Sequence, residues 1–154
     1  MRRAGRNKTF AVEYIGKLRY MNLVRELVAI AKALSDPTRV RIVAALRNGE
    51  LCVCELVDAL SISQSSLSSH LQVCRQAGIV TTRKESRWIY YSLSNRYGPL
   101  IERIFSELQT VGNNQQVRRD ARRLKKRLQM RVGGRCIVGF GQLKPERELA
   151  DVFV

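Results

Sequence analysis

Between residues 34 and 93 the chain is divided into short segments by residues that start and stop helices, and this punctuation restricts the fold more than any other feature. Asp36 precedes Pro37, an N-cap followed by the residue favoured at the first helical position, and Asn48-Gly49 supplies a left-handed stop, so a helix is predicted from Pro37 through Leu46. A short third helix follows, with Val53, Leu56, Val57 and Leu60 on one face. Ser61-Ile62-Ser63 breaks it, and Ser63 caps a fourth helix in which Ile62 and Leu67 form a hydrophobic staple. Gly78 closes that helix. Two β-rich runs, Ile79 to Thr82 and Trp88 to Leu93, flank Arg83-Lys84-Glu85-Ser86-Arg87 and predict a hairpin with a charged tip. Upstream, Leu23, Leu27, Ile30, Ala31 and Leu34 recur at helical spacing in a first helix that opens at Met21. Downstream, a fifth helix from Pro99 to Val111 buries Ile101, Ile104, Phe105 and Leu108 and stops at Gly112-Asn113-Asn114. The order describes a winged helix-turn-helix, mainly α with a small β-hairpin.

Charge narrows the partner. The 154 residues carry 28 Lys+Arg against 13 Asp+Glu, a formal +15. From Leu34 to Leu93 the balance is only seven against five, whereas Gln116 to Val154 holds eleven against four, so the excess lies at the ends. The expected division is a flexible basic arm over 1–20, a DNA-binding and dimerisation domain over 21–113, and a basic helical and then flexible tail over 114–154. In the tail, Val117, Ala121, Leu124 and Leu128 make a thin apolar stripe through a run of Arg and Lys read as a solvated face. A charge of this size makes a polyanion the default partner, because each neutralised phosphate releases counterions. No window approaches the ~20 apolar residues of a spanning helix, and Met1-Arg2-Arg3-Ala4-Gly5 leads into no signal-like apolar run, so a cytoplasmic protein with no membrane partner is expected. One His in the whole chain leaves no nucleophile, base and orienting group to assemble, and an enzyme is not expected.

The fourth helix is the expected reader of double-stranded DNA. Leu67, Leu71 and Cys74 lie on one face, while Ser65, Ser68, Ser69 and Gln72 lie on the other, with Gln64 and Ser66 in its first turn. Short hydroxyls and amides let a helix sit deep in the major groove. Arg83, Lys84 and Arg87 at the hairpin tip would hold flanking phosphates, and His70 reads as a docking or phosphate-contacting residue. A polar surface helix of no further role is the plain alternative.

Cys52-Val53-Cys54 carries the sharper chemistry. Soft thiolates select As(III), Sb(III), Cu(I), Cd(II) or Zn(II) over hard ions, and a helix N-terminus lowers a thiol pKa. On a regular helix residues i and i+2 point about 200° apart, so shared chelation calls for an unwound first turn; in extended backbone the two share a face. The alternative is two small buried hydrophobes. Cys74, on the Leu67/Leu71 face, is expected in the core. Cys136 lies in a Gly-flanked tail, either as an incidental thiol or as a third ligand folding back.

The stretch Ala33-Leu34-Ser35-Asp36-Pro37-Thr38-Arg39, the segment GELCVCELVDAL from Gly49 to Leu60, SQSSLSSHL from Ser63 to Leu71 and RKESRWIYYSL from Arg83 to Leu93 resemble the ArsR family (ArsR/SmtB) of metalloregulatory repressors. The resemblance covers roughly residues 25 to 110, and LCVCEL is similar to the arsenic- and antimony-responsive branch. It implies a homodimer through residues 22–34 and 99–112, repression of a metal(loid)-resistance operon in the ligand-free state, and release from the operator when As(III) or Sb(III) binds cysteine thiolates. Three departures stand out: Val57 occupies a position often held by a third cysteine, Ser86 one usually held by glycine in the wing, and the tail beyond Gln115 is longer than in the family. The missing cysteine leaves an organoarsenical inducer open. Other readings are a Cd(II)/Pb(II), Cu(I) or thiol-redox sensor of the same fold, and a constitutive nucleic-acid-binding protein with structural cysteines.

Overall fold

The computed structural model describes residues 5–108 and 114–143, with side chains from residue 15 onward. Helix α1 (Gly5–Leu34) leads into α2 (Pro37–Leu46), a two-residue strand β1 (Leu51–Cys52), α3 (Val53–Leu60), α4 (Gln64–Gln76), the hairpin β2 (Val80–Glu85) and β3 (Trp88–Leu93), α5 (Gly98–Glu107) and α6 (Gln115–Leu128). Helix α5 ends at Glu107 with Leu108 as its C-cap, short of the expected Val111; the Gly112-Asn113 stop and the end of the 99–112 dimer segment lie outside the described residues, as do residues 1–4 and 144–154.

The local signals act as their chemistry demands. Asp36 accepts the Arg39 N–H at 2.9 Å with Pro37 at the first helical position, and the Ser63 hydroxyl accepts the Ser66 N–H at 3.2 Å. Gly78 turns at φ +72, and a Cβ there would meet the Tyr97 ring at 3.3 Å, so both conformation and space favour glycine. Ile42, Val43, Leu46, Leu56, Leu60, Leu67, Leu71, Cys74, Ile79 and Ile101 form one buried core, in which Cys74 takes the structural place expected of it.

Four expectations are corrected. Residues 5–20 continue α1 instead of forming a flexible arm; the segment contains no proline to stop the helix. Ile30 and Ala33 of α1 are buried, while Ile15, Leu18, Leu23 and Leu27 stay exposed on the single chain, as do Leu100 and Leu108 at α5. Strand β2 runs on to Glu85, so Arg83 and Lys84 sit in the ladder opposite Tyr90 and Ile89, and only Ser86-Arg87 turn the wing. Ser86 holds φ +54, a left-handed conformation that explains why glycine suits this position.

The third correction is the tail. Helix α6 lies against α3 and α2, and its Arg123 and Arg127 are buried, not solvated. Beyond it Gly133-Gly134 take φ +57 and +76, and the paired bonds Val132 N–H to Arg135 O (3.1 Å) and Arg135 N–H to Val132 O (3.0 Å) close a tight turn. The glycines therefore serve a defined reversal, which returns Cys136 to the domain.

The fourth concerns the sheet, whose order is β1-β3-β2, all antiparallel. Leu51 pairs with Tyr91 and Cys52 with Tyr90, so Cys52 sits on a strand and not in a helical turn.

Candidate metalloid centre and nucleic-acid face

Cys52 is the N-cap of α3 with extended backbone (φ −81, ψ 162), and Cys54 follows within the first helical turn. This strand-to-helix joint turns both thiols to one side with the helix intact, so the unwinding expected from i,i+2 spacing is unnecessary. Cys136 arrives from the tail. The three Sγ atoms lie within 4.8 Å of one another, with Cys54 and Cys136 at 3.2 Å, and all three residues are buried. Tyr90 and the half-buried Trp88 of the wing close the pocket, and the Tyr90 hydroxyl accepts the Cys136 N–H at 3.0 Å.

Metal–sulfur bonds of ~2.3 Å put three sulfurs roughly 3.4–4.0 Å apart around one ion. The trio reaches that spacing by small adjustments, so three soft donors fit a thiophilic ion held trigonally. Among the described residues the ligand cluster consists of sulfur alone, which suits soft ions. The Cys52 thiol is pushed far up by the Cys54 thiol beside it and by burial, and burial also raises Cys136. At Cys52 the lowering expected from the helix N-terminus does not prevail, because burial and the adjacent thiol favour the protonated form. Cys74, deep in the apolar core, is pushed up to about 11 by burial.

The wall of the pocket is ionic. Glu55, fully buried, accepts the Cys52 N–H at 2.8 Å and a two-pronged contact from Arg131 at 2.7 and 2.8 Å. Asp58 accepts Arg127 Nε at 2.8 Å and the N–H groups of Gly141 and Gln142 at 2.8 and 3.2 Å. Arg127 also reaches the carbonyls of Val138 and Gly139 and lies 3.8 Å from Cys136 Sγ; its Nη1 is buried without a partner among the described residues. Further out, Arg83 pairs with Glu50 and Glu85 while stacking over Tyr90 at 4.7 Å, and Arg135 pairs with Glu85 at 3.0 Å. Glu55 stands three residues after Cys52, where a reciprocal helix cap could have been read from the sequence. No local signal marked Arg127, Arg131 or Tyr90.

On the opposite side of α4, Gln64, Ser65, Ser68, Ser69 and Gln72 are exposed together, while Ser66 is half-buried at the cap. His70 is turned toward α2, with Nδ1 3.5 Å from the Asp36 carboxylate. Lys84 and Arg87 are exposed on the wing, Arg87 over the Trp88 ring at 4.9 Å, whereas Arg83 is engaged by its two carboxylates. Among the described residues no helix is long and apolar enough to cross a membrane.

Residues 36–82 match the model of the bacterial regulatory protein family arsR. Over 65 residues the chain is 48% identical to the arsenic resistance transcriptional regulator ArsR1 of Pseudomonas putida, covering 42% of this chain and 51% of that one. It is 37% identical over 99 residues to ArsR2 of the same organism, also named an arsenic resistance transcriptional regulator, covering 62% of this chain and 84% of that one. The chain thus spans about half of the first relative's length and most of the second's. The solution structure of a homodimeric winged helix-turn-helix domain, Mb0332 from Mycobacterium bovis, superposes with a TM-score of 0.53 at 26% identity, covering 62% of this chain and 85% of that domain. With its capped α3-turn-α4 unit, its wing and this extent of identity, the chain belongs to the ArsR family of transcriptional regulators.

Proposed function

We propose that the protein is a homodimeric repressor of a metal(loid)-resistance operon that leaves its operator when a trivalent metalloid, As(III) or Sb(III), binds Cys52, Cys54 and Cys136. The observation that carries this reading is the buried trio of thiols within 4.8 Å, built where β1 meets α3. Each ligand lies on a part that bears on DNA reading. Cys52 is paired with Tyr90 of the wing, Cys54 begins the helix before α4, and Cys136 is hydrogen-bonded to Tyr90. Drawing the sulfurs together would therefore shift the wing strand and α3 against α4, and a ligand that prefers that shifted state depopulates the DNA-binding one.

In this reading Gln64, Ser65, Ser68, Ser69 and Gln72 face base edges and phosphates, while Lys84 and Arg87 hold flanking phosphates. Ser66 and His70 act by setting the position of α4, and Arg83 by fixing the wing to Glu50. The exposed apolar residues of α1 and α5 would be covered by a second copy of the chain, consistent with the homodimeric neighbour.

The test is fluorescence anisotropy on DNA from upstream of its own gene, titrated with arsenite, antimonite, methylarsenite, cadmium and copper(I). Wild type should dissociate with arsenite and antimonite. Cys52→Ser and Cys54→Ser should bind DNA and stay bound, and Cys136→Ser should lose its arsenite response while keeping that to methylarsenite, which needs two thiols. Release of Cys52→Ser at the wild-type arsenite concentration would remove the trio from the mechanism.

A further inference from the structure

We propose that the ionic wall around the thiol trio, through the buried pair Asp58 and Arg127 above all, selects trivalent over divalent thiophilic ions by leaving the pocket with no surplus charge. This rests on the reading of Cys52, Cys54 and Cys136 as the ligand set.

The charged groups that face the trio come from every element packed around it. Arg131 neutralises Glu55, Arg127 neutralises Asp58, and in the outer ring Arg83 and Arg135 face Glu50 and Glu85. Among the described residues, four carboxylates meet four guanidinium groups. Arg123 directs its fork to the Asp58 and Ala59 carbonyls, toward the C-terminal end of α3 and away from the cysteine end. The inner pairs are the decisive ones: Asp58 and Arg127 are both buried, and Arg127 contacts Cys136 Sγ directly.

The ligands differ in the charge they leave behind. Three thiols and arsenous acid give a neutral tris-thiolate, each As–O bond replaced by As–S, with the three thiol protons leaving in three water molecules. Three thiols and Cd(II) give an anionic tris-thiolate and release three protons to solvent. In a pocket shut off from water and already balanced, the neutral product carries no charge-burial penalty and the anionic one does. A surplus positive charge would offset that penalty, and a surplus negative one would deepen it.

Opposite substitutions in one pair separate this effect from loss of structure. Asp58→Asn leaves Arg127 uncompensated, and Arg127→Gln leaves Asp58 uncompensated. The full-length protein, its fold checked by circular dichroism, is titrated with arsenite and with Cd(II) alone and in competition, reading the sulfur-to-ion absorption band. Relative to wild type, the preference for Cd(II) over arsenite should rise by about tenfold or more in Asp58→Asn and fall by about tenfold or more in Arg127→Gln, the scale of one uncompensated charge at close range in a protein interior. A merely loosened pocket would move the preference the same way in both variants, and that result, or an unchanged preference, overturns the proposal. If either variant fails to fold, Glu55→Gln and Arg131→Gln repeat the paired test on the second inner pair. Equal arsenite affinity in wild type and Cys136→Ser would instead overturn the three-thiol reading on which the proposal stands.

Discussion

The domain from Asp36 to Ser94 and the extension from Asn114 to Leu143 are held by different forces. In the first, apolar side chains at helical spacing meet in one core, and Asp36 and Ser63 cap α2 and α4 by accepting an N–H three residues on. In the second, Leu124 is the one large apolar side chain fully buried on α6, and the attachment is ionic. Arg41 grips Asp120 at 2.7 and 2.9 Å and the Leu60 carbonyl at 2.6 Å, Arg127 grips Asp58, and Arg131 grips Glu55. A core of the first kind resists local opening, because losing one contact exposes many. An attachment of the second kind depends on a few charged contacts, so the segment that delivers Cys136 is the part expected to move first.

The comparison can be broken from either side. Leu71→Ala, in the common core, should cost about 3–4 kcal/mol and lower the unfolding midpoint of both regions together, as followed by circular dichroism and by hydrogen exchange. Persistence of the 115–128 helix after the domain melts would show that the extension folds without its support. Arg41→Ala leaves Asp120 buried and should cost about 2–3 kcal/mol, felt mainly as faster amide exchange over 115–143 while residues 36–94 keep their protection. Uniform loss across both regions would dissolve the distinction.

Acid gives a smaller and graded version of the same test. Burial pushes Glu55 up, but the Arg131 fork and the Cys52 N–H outweigh it and hold the carboxyl below the usual glutamate value of 4.5. Its contribution is therefore fully present above that value and lost as pH falls through the lower folded one. The single tryptophan, Trp88, packs against the thiol pocket, so its fluorescence should change below about pH 4.5 before far-ultraviolet ellipticity falls, and should do so less in Glu55→Gln. Coincident transitions would mean that the pocket and core yield together.

The same contrast explains what could be read from the chain beforehand. Asp36-Pro37, Ser63 and Gly78 announce helix ends because a cap is satisfied within a few residues, and the spacing of Leu67, Leu71 and Cys74 announces their common face. The ionic contacts carry no such mark: Arg127 lies within a run of Arg and Lys, and its partner Asp58 is 69 residues away. Strand β1 escaped because two residues are too few to show an alternation. Cys136 reaches the pocket for a reason its local sequence does not announce, since Gly133-Gly134 form a defined turn where a glycine pair suggests a loose tail. A charged run such as Arg83-Lys84 suggests a loop at the wing tip, whereas pairing with Tyr90 and Ile89 keeps both residues in the strand.

All three sulfurs of the pocket belong to one chain, and under the proposed function this sets the stoichiometry. A dimer assembled through α1 and α5 would carry two complete sites, saturating at one metalloid per chain, with no ligand borrowed across the twofold axis. A mixed dimer of one wild-type chain and one Cys52→Ser chain would then bind a single equivalent, so the number of occupied sites needed to clear the operator becomes countable. Comparing DNA release from that mixed species with release from the wild type would tell whether one occupied half is enough.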